Sequence, residues 1–341
     1  MTPQRLQEIT GRYPQLTLGI VGDFCLDRYF DIDPAKSETS IETGLEVHNI
    51  TRVRCQPGAA GTILNNLVAL GVGTLIPVGM RGRDGEGYEL HGALASQPGV
   101  RLESFVDSAD IRTFTYTKPL VFEPGRAPRE LNRLDIKNWN PTPAPLQTAL
   151  AERVEALAGS CDGIILMDQV DRAETGVVTK RVLEAVGRVA RKRPELPIVA
   201  DSRRGLSGFP RVIFKMNHAE LAVMTSLERS AGVEAIQKAA AQLAERNQRP
   251  VFVTLAEHGI VGADPSGESH HVASLPLRGE IDIVGAGDAV TANLTAALAA
   301  GATLQESMVL AMCAASVVIH QLGTTGTASP AQIAERLASC L

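Results

Sequence analysis

Gly163-Ile-Ile-Leu-Met167, the helically spaced span Ala173–Arg193 and Pro197-Ile-Val-Ala200 come in succession, and their reading decides the fold. The two flanking runs are short and apolar throughout, as strands buried on both faces are. A helix between two such strands predicts a parallel pair, and repetition of the unit gives a mostly parallel sheet with helices on both faces. Asp168 and Asp201 each follow one of these strands, the position where residues facing a ligand gather in such sheets.

The same kind of run recurs outward. Leu16-Thr-Leu-Gly-Ile-Val-Gly22 reads as a buried first strand with Asp23 and Asp27 past its end, and Leu75-Ile-Pro-Val-Gly79 and Pro250-Val-Phe-Val-Thr254 read as further strands. No Gly-x-Gly-x-x-Gly follows the first strand, so a dinucleotide fingerprint is not expected there. Tyr29 to Arg54 is extended and polar, and Val100 to Asp135 alternates at Thr113–Thr117 and Leu131–Asp135, so these strands have little to bury. Gln56-Pro-Gly-Ala-Ala-Gly-Thr62 opens a helix through Ile63, Leu64, Leu67 and Leu70. Further helices are expected at Leu146–Ala158, Leu304–Gln321 and Pro330–Leu341.

Composition narrows the class. The 341 residues, 44% hydrophobic and 21% charged, suit one large α/β domain or two small ones. A net charge of −5 argues against nucleic acid as a partner, since phosphate backbones call for clustered Lys and Arg. The densest basic run, Arg188 to Arg193, falls on a helical stretch and reads as a solvated face. Cys25, Cys55, Cys161, Cys313 and Cys340 show no Cys-x-x-Cys spacing, so neither a disulfide framework nor a zinc site is expected, and a cytoplasmic location fits. His270-His271 lacks further ligands at metal spacing, and His258 reads as a surface or turn residue. No stretch has the apolar length of a membrane span or a signal core, so no membrane partner is expected.

Asp282-Ile-Val-Gly-Ala-Gly-Asp288 leads into Ala289–Ala300, where Leu294, Ala297 and Leu298 recur at helical spacing. Gly285 and Gly287 remove side chains where the first unpaired amides of that helix begin, which makes an anion cradle. A carboxylate at Asp288 beside an anion has two explanations. It caps the helix, or it faces a second substrate and takes a proton from it.

The stretch resembles the C-terminal signature of the ribokinase/PfkB family of carbohydrate kinases. The resemblance implies an α/β fold, a ribokinase-like three-layer sandwich with a mostly parallel central sheet and a small β-lid. It implies one kinase domain over residues 1–341, with lid segments at about 28–56 and 101–136. It implies ATP and Mg²⁺ as cofactors, K⁺ in some members, a sugar or sugar phosphate as substrate, and a homodimer formed through the lid. Gly285, Ala286 and Gly287 would form the hole for the transferred phosphoryl group, and Asp288 would be the catalytic base. Within the family the chain is most similar to the kinase domain of heptose-7-phosphate kinases, for which Ser40-Ile-Glu42 matches a Ser-Pro-Glu segment. No adenylyltransferase half of the kind fused to some of these is expected after the closing helix.

The resemblance carries further residues. Asp27 matches the aspartate that holds sugar hydroxyls, with a plain turn aspartate as the alternative. Gly58 and Thr62 fall in the sugar-binding Gly-Gly-x-x-Asn segment, where Ala59 replaces the second glycine and Thr62 the asparagine. Lys118 and Arg133 in the second lid segment are expected either to meet an anionic group on the sugar or to be surface charge. Asp168 is expected at the substrate, although Asp168-Gln-Val-Asp-Arg172 departs from the Asp-Tyr-x-Lys-Gly of heptose kinases. Asn217 and Glu220 match the Asn-x-x-Glu motif that holds Mg²⁺ through water, and the same letters also spell a helix capping box. Lys215, Thr254 and Gly259 are expected along the ATP phosphates. Asp282 with Gly323 would frame a monovalent-cation loop. A nucleoside or vitamin kinase of the same fold, and a catalytically silent sugar- or nucleotide-binding sensor, are the alternative readings.

Overall fold

A computed structural model describes residues 1–228, 230–323 and 325–339, so Cys340 and the end of the helix expected at Pro330–Leu341 lie outside the described residues. In chain order the strands are β1 (Thr17–Gly22), β2 (Phe24–Ile32), β3 (Glu38–Thr39), β4 (Glu46–Val47), β5 (Ile50–Ala59), β6 (Thr74–Val78), β7 (Met80–Gly82) and β8 (Val106–Ser108). They continue with β9 (Thr115–Val121), β10 (Arg129–Glu130), β11 (Leu134–Ile136), β12 (Gly163–Asp168), β13 (Ile198–Ser202), β14 (Ile213–Asn217), β15 (Val251–Thr254), β16 (Ile260–Ala263) and β17 (Ser269–Val272). The helices are α1 (Pro3–Thr10), α2 (Ala60–Ala69), α3 (Gly85–Ala95), α4 (Ala144–Leu157), α5 (Lys180–Lys192), α6 (His218–Thr225), α7 (Val233–Asn247), α8 (Ala286–Ala299), α9 (Leu304–Val318) and α10 (Pro330–Ala338).

Eight strands make one sheet in the order β17-β16-β15-β14-β13-β12-β1-β6. All neighbours from β6 to β15 are parallel, and β16 and β17 add an antiparallel edge. The change of direction follows from the connection, because β15 reaches β16 through a short turn at 255–259 with no crossover helix. Side chains alternate between two cores. Ile164 and Leu166 join residues of α4, α5, α6 and α7 on one side, while Ile165 and Met167 join α1, α2, α8, α9 and α10 on the other. Burial on both faces explains the unbroken apolar letters of β12, each fully buried Leu or Ile contributing about 1.5–3 kcal/mol.

A smaller sheet has the order β10-β9-β2-β5, with β11 also on β9. It starts with β2, separated from the end of β1 by Asp23 alone, so it is rooted at β1, next to the edge strand β6 of the large sheet. On β2 the residues Cys25, Asp27, Tyr29 and Asp31 alternate with Arg28, Phe30 and Ile32, which point to the opposite face.

Two local departures from the sequence expectation have clear causes. The helix expected at Ala173–Arg193 begins only at Lys180, where Thr179 caps it by accepting the N–H of Val182. The residues before it are drawn over Asp23, whose buried carboxylate accepts the N–H groups of Gln169 (2.8 Å), Val170 (3.2 Å) and Val177 (2.7 Å). Those amides cannot also serve a helix. Within α5, Arg188 pairs with Glu155 at the surface while Val189 and Ala190 enter the core.

Ala59, the N-cap of α2, is held at φ 54°, ψ −117°, a conformation natural only to glycine. Ala59→Gly is therefore expected to stabilise the fold by about 1 kcal/mol, strain relief outweighing the extra freedom of the unfolded chain. Urea unfolding reads this as a higher midpoint at unchanged slope. A lower midpoint would show that the strain is not there.

Candidate active site

The cleft residues come from the ends of the large-sheet strands, the start of α8 and one face of the small sheet. The turn before α8 is shaped by Asp282, whose Oδ1 accepts the N–H of Val284 (3.0 Å) while its own N–H donates to the Ile319 carbonyl (2.8 Å). Gly285 then takes φ 83°, and no side chain caps the helix. The Ala286 N–H donates to the Ile283 carbonyl at 3.2 Å, whereas those of Gly287 and Asp288 have no acceptor among the described residues. Two free amides at a helix start attract an anion.

Lys215 supplies a full positive charge at the same place. Its side chain is buried, and Nζ lies 3.3 Å from where a Cβ on Gly287 would sit. Nζ donates to Oδ2 of Asp201 (2.7 Å), and the Thr291 hydroxyl donates to the same oxygen (3.0 Å). Asp201 thus ties β13, β14 and the first turns of α8 together. Burial works against the Lys215 charge, but Asp201, and then Asp288 and Glu220, hold its pKa above the usual lysine value.

Asp288 stands in the first turn of α8, half-buried at the cleft. Loss of solvent pushes its pKa up to about 7, the charges of Asp201 and Asp27 push the same way, and Lys215 opposes them. Solvent still reaches the group from the cleft. A carboxylate of raised basicity beside free amides and an ammonium can take a proton from a hydroxyl whose oxygen attacks an anion held there.

On the small sheet, Asp27 is 6% exposed and accepts no hydrogen bond among the described residues. It lies against Gly58, where a Cβ would come 2.7 Å from Cys25 Sγ and 2.8 Å from the Asp27 carboxyl, so only glycine leaves room. Burial raises the Asp27 pKa, and the nearby charges of Lys118 and Arg133 oppose it. An enclosed carboxylate without a donor is ready to receive hydroxyl groups. Lys118 Nζ lies 5.1 Å from the centre of the Tyr29 ring, and despite burial Asp27 and Tyr29 hold its pKa up. Arg133 is already engaged, bidentate to Asp135 (2.7 and 2.8 Å) and stacked over Tyr116. Thr62 is buried on α2, and its hydroxyl makes no hydrogen bond among the described residues.

Asp168, expected to face the substrate, is instead fully enclosed. Its Oδ2 accepts from Ser202 (2.7 Å) and Arg204 (2.8 Å), its Oδ1 has no partner, and burial followed by the charge of Asp23 pushes its pKa up to about 6. Arg204 shields it from the solvent side, which the strand-end position alone could not show.

Asn217 and Glu220 close a capping box: the Glu220 N–H donates to Asn217 Oδ1 (2.9 Å) and the Asn217 N–H to Glu220 Oε2 (2.8 Å). Glu220 keeps its other oxygen free, and burial raises its pKa. One free carboxylate oxygen fits contact with the water shell of a magnesium ion, which dehydrates reluctantly, better than direct ligation. Thr254 is opposite Asn217 in the β14–β15 register, so the two share this edge of the cleft. Gly259 has φ 94°, and a Cβ there would meet the Val272 carbonyl at 2.1 Å, so the turn itself demands glycine. Gly323 is exposed at φ 72° beyond α9. Among the described residues no group of three or more His, Cys, Asp or Glu could hold a metal ion, and no helix is long and apolar enough to cross a membrane. Sequence reasoning noted Asp201 only as a strand-end residue and missed its pairing with Lys215, 14 residues away, because the partner sits on the next strand.

A mostly parallel sheet between two helical layers, with a small second sheet facing an uncapped helix start, defines a ribokinase-like kinase fold. The solved ribokinase of Arabidopsis thaliana, complexed with ribose and ATP, matches it with a TM-score of 0.69 at 19% identity over 94% of this chain and 98% of that one. Phosphofructokinase-2 from Escherichia coli, in complex with substrates and products, gives 0.71 at 18% over 95% and 99%. At such identities the likeness is one of fold. The pattern of the pfkB family carbohydrate kinases matches residues 32–332, and the chain belongs to that family of phosphotransferases. It is also similar to the Bifunctional protein HldE of Azorhizobium caulinodans, 30% identical over 310 residues. That match covers 90% of this chain and 61% of the relative, and the chain spans less than two thirds of the length of the first curated relatives it matches.

Proposed function

We propose that this chain transfers the γ-phosphoryl group of ATP to a hydroxyl of a sugar or sugar phosphate, a heptose phosphate being one candidate acceptor. The observation that carries the reading is the start of α8, where two free N–H groups, the Lys215 ammonium and the Asp288 carboxylate meet. Asp27 orients the acceptor by taking hydrogen bonds from its hydroxyls, with Gly58 giving it space and Thr62 and Lys118 as further contacts. Asp288 removes the proton of the attacking hydroxyl. The glycine turn of Gly285, Ala286 and Gly287, with Lys215, meets the charge that builds on the phosphoryl oxygens. Thr254 and Gly259 line the nucleotide side. Magnesium, held through water by Asn217 and Glu220, would neutralise phosphate charge, and potassium is assigned to Asp282 and Gly323.

The small sheet, with segments at about 28–56 and 101–136 of a single kinase domain, serves as a lid that keeps water from the phosphoryl group. Its outer face supports self-association: a groove of about 630 Å³ is lined by Phe30, Ile32, Ile50, Pro119 and Leu134, and exposed Val53 stands opposite Phe30 on the same face. Light scattering on the eluting protein reads this directly, and a monomer at micromolar concentration argues against it. We assign the chain to the cytoplasm on the scattered spacing of its cysteines, which suggests no disulfide framework.

The test is ADP release from Mg-ATP across heptose 7-phosphate, fructose 6-phosphate, ribose and adenosine, with Asp288→Asn as the blank. Release dependent on a sugar and lost in the blank is the expected result. ATP binding with no acceptor-dependent release across the panel would favour the silent sensor, a reading that the enclosed Asp168 and the substitution at Thr62 motivate.

A further inference from the structure

Gln56 stands directly opposite Asp27 in the antiparallel β2–β5 register, so the two side chains share the cleft face of the small sheet. Its Nε2 donates to the Thr325 hydroxyl (2.8 Å) and to the Tyr29 hydroxyl (3.3 Å). Thr325 lies beyond α9, and its Cβ, Cα and Cγ2 stand 3.5–3.6 Å from the point where a side chain on Gly285 would begin. Gln56 is therefore one neighbour from Asp27 on one side and, through Thr325, one neighbour from the N-cap of α8 on the other.

The glycine turn has little to fix its shape. Gly285 at φ 83° has no side chain, and the turn is held by the Asp282–Val284, Ala286–Ile283 and Asp282–Ile319 hydrogen bonds. Thr325 supplies a wall against it. With its hydroxyl engaged by Gln56, the Thr325 methyl faces Gly285. We propose that Gln56 is a positioning residue whose amide, through Thr325, couples the seating of the small sheet to the shape of the glycine turn. The free N–H groups of Gly287 and Asp288 are then aimed at the phosphoryl group while the sheet lies in place, which rests on the role proposed above for that turn. A sheet that lifts off the cleft releases Thr325 and loosens the turn, so phosphoryl transfer to water is disfavoured in the open form.

Backbone amide exchange at Asp282 and Ala286, measured on the full chain without ligand, tests the coupling apart from any turnover. Gln56→Ala and Thr325→Val should each speed exchange there by about fivefold, the size of one neutral hydrogen bond. The double variant should be no faster than either single one, because both remove the same link. Exchange at β12 and β13 should stay unchanged. Unaltered rates at the turn, additive effects in the double variant, or equal acceleration across the large sheet would each overturn the proposal. On an acceptor that the unaltered protein phosphorylates, Gln56→Ala should lower kcat by a similar factor with the KM for the acceptor unchanged, ADP and sugar product falling together. Absence of acceptor-dependent ADP release from the unaltered protein would sink the proposed function, while the exchange rates would still decide the coupling.

Discussion

Asp288→Asn should lower sugar-dependent ADP release by about 10³-fold or more while ATP binding, followed by calorimetry, stays within a fewfold of the unaltered protein. The amide keeps the size of the carboxyl group but cannot accept the hydroxyl proton. With a pKa pushed up to about 7 by burial and by Asp201, the base form grows through neutrality. In the unaltered protein kcat/KM should therefore climb about tenfold per pH unit below 7 and level off above it. Stability moves the opposite way. Between the ordinary aspartate value near 4 and about 7 the folded chain holds a proton that the unfolded chain has lost, so Asp288 makes folding less favourable as pH rises through that window. Asp288→Asn removes the effect and should be more stable than the parent at pH 8 by roughly 2 kcal/mol, the gap closing near pH 4. Full activity in the variant would rule Asp288 out as the base, and a variant less stable at pH 8 would contradict the upward shift.

Lys215→Met is expected to damage both stability and chemistry. It removes one partner of a buried pair and leaves Asp201 with only Thr291, a loss of about 3 kcal/mol. It also deletes a positive charge that holds the Asp288 pKa down, so the pH at which activity reaches half its plateau should move upward. ATP should bind more weakly, because the anion cradle keeps only its amides. Adding Asp201→Asn should recover much of the lost stability without restoring turnover. A pH profile identical to that of the unaltered protein would show that Lys215 and Asp288 do not sense each other.

Much of the fold was legible because its signal is local and repeated. The letters of β12, α5 and β13 carry both the strand type and the parallel pairing, and Leu16–Gly22 announces β1 in the same way. The small sheet was legible only in part: Thr113–Thr117 and Leu131–Asp135 alternate where β9 and β11 form, but β2 and β9 are mostly buried, against the expectation of little to bury. The early start assigned to α5 failed because its cause lies far off in sequence, where Asp23 captures three amides of the loop. At the site, the glycine turn could be read from Asp282 to Asp288, since a helix start without side chains is a property of adjacent residues. The enclosure of Asp168 could not be read, because its partners Ser202 and Arg204 lie 34 and 36 residues away. Gln56 gave no signal at all, its meaning resting on a contact with Thr325 across 269 residues.

The order of strands in the large sheet also governs how the chain is made. From β12 to β17 each strand pairs with the next one to be synthesised, so residues 163–272 can assemble as they leave the ribosome. Strand β1 belongs between β6 and β12, and at 5–20 residues per second its second edge stays open for roughly 7 to 30 s until Gly163 emerges about 140 residues later. During that interval the nascent chain displays an unpaired apolar edge centred on Ile20, the hazard that chaperones exist to cover.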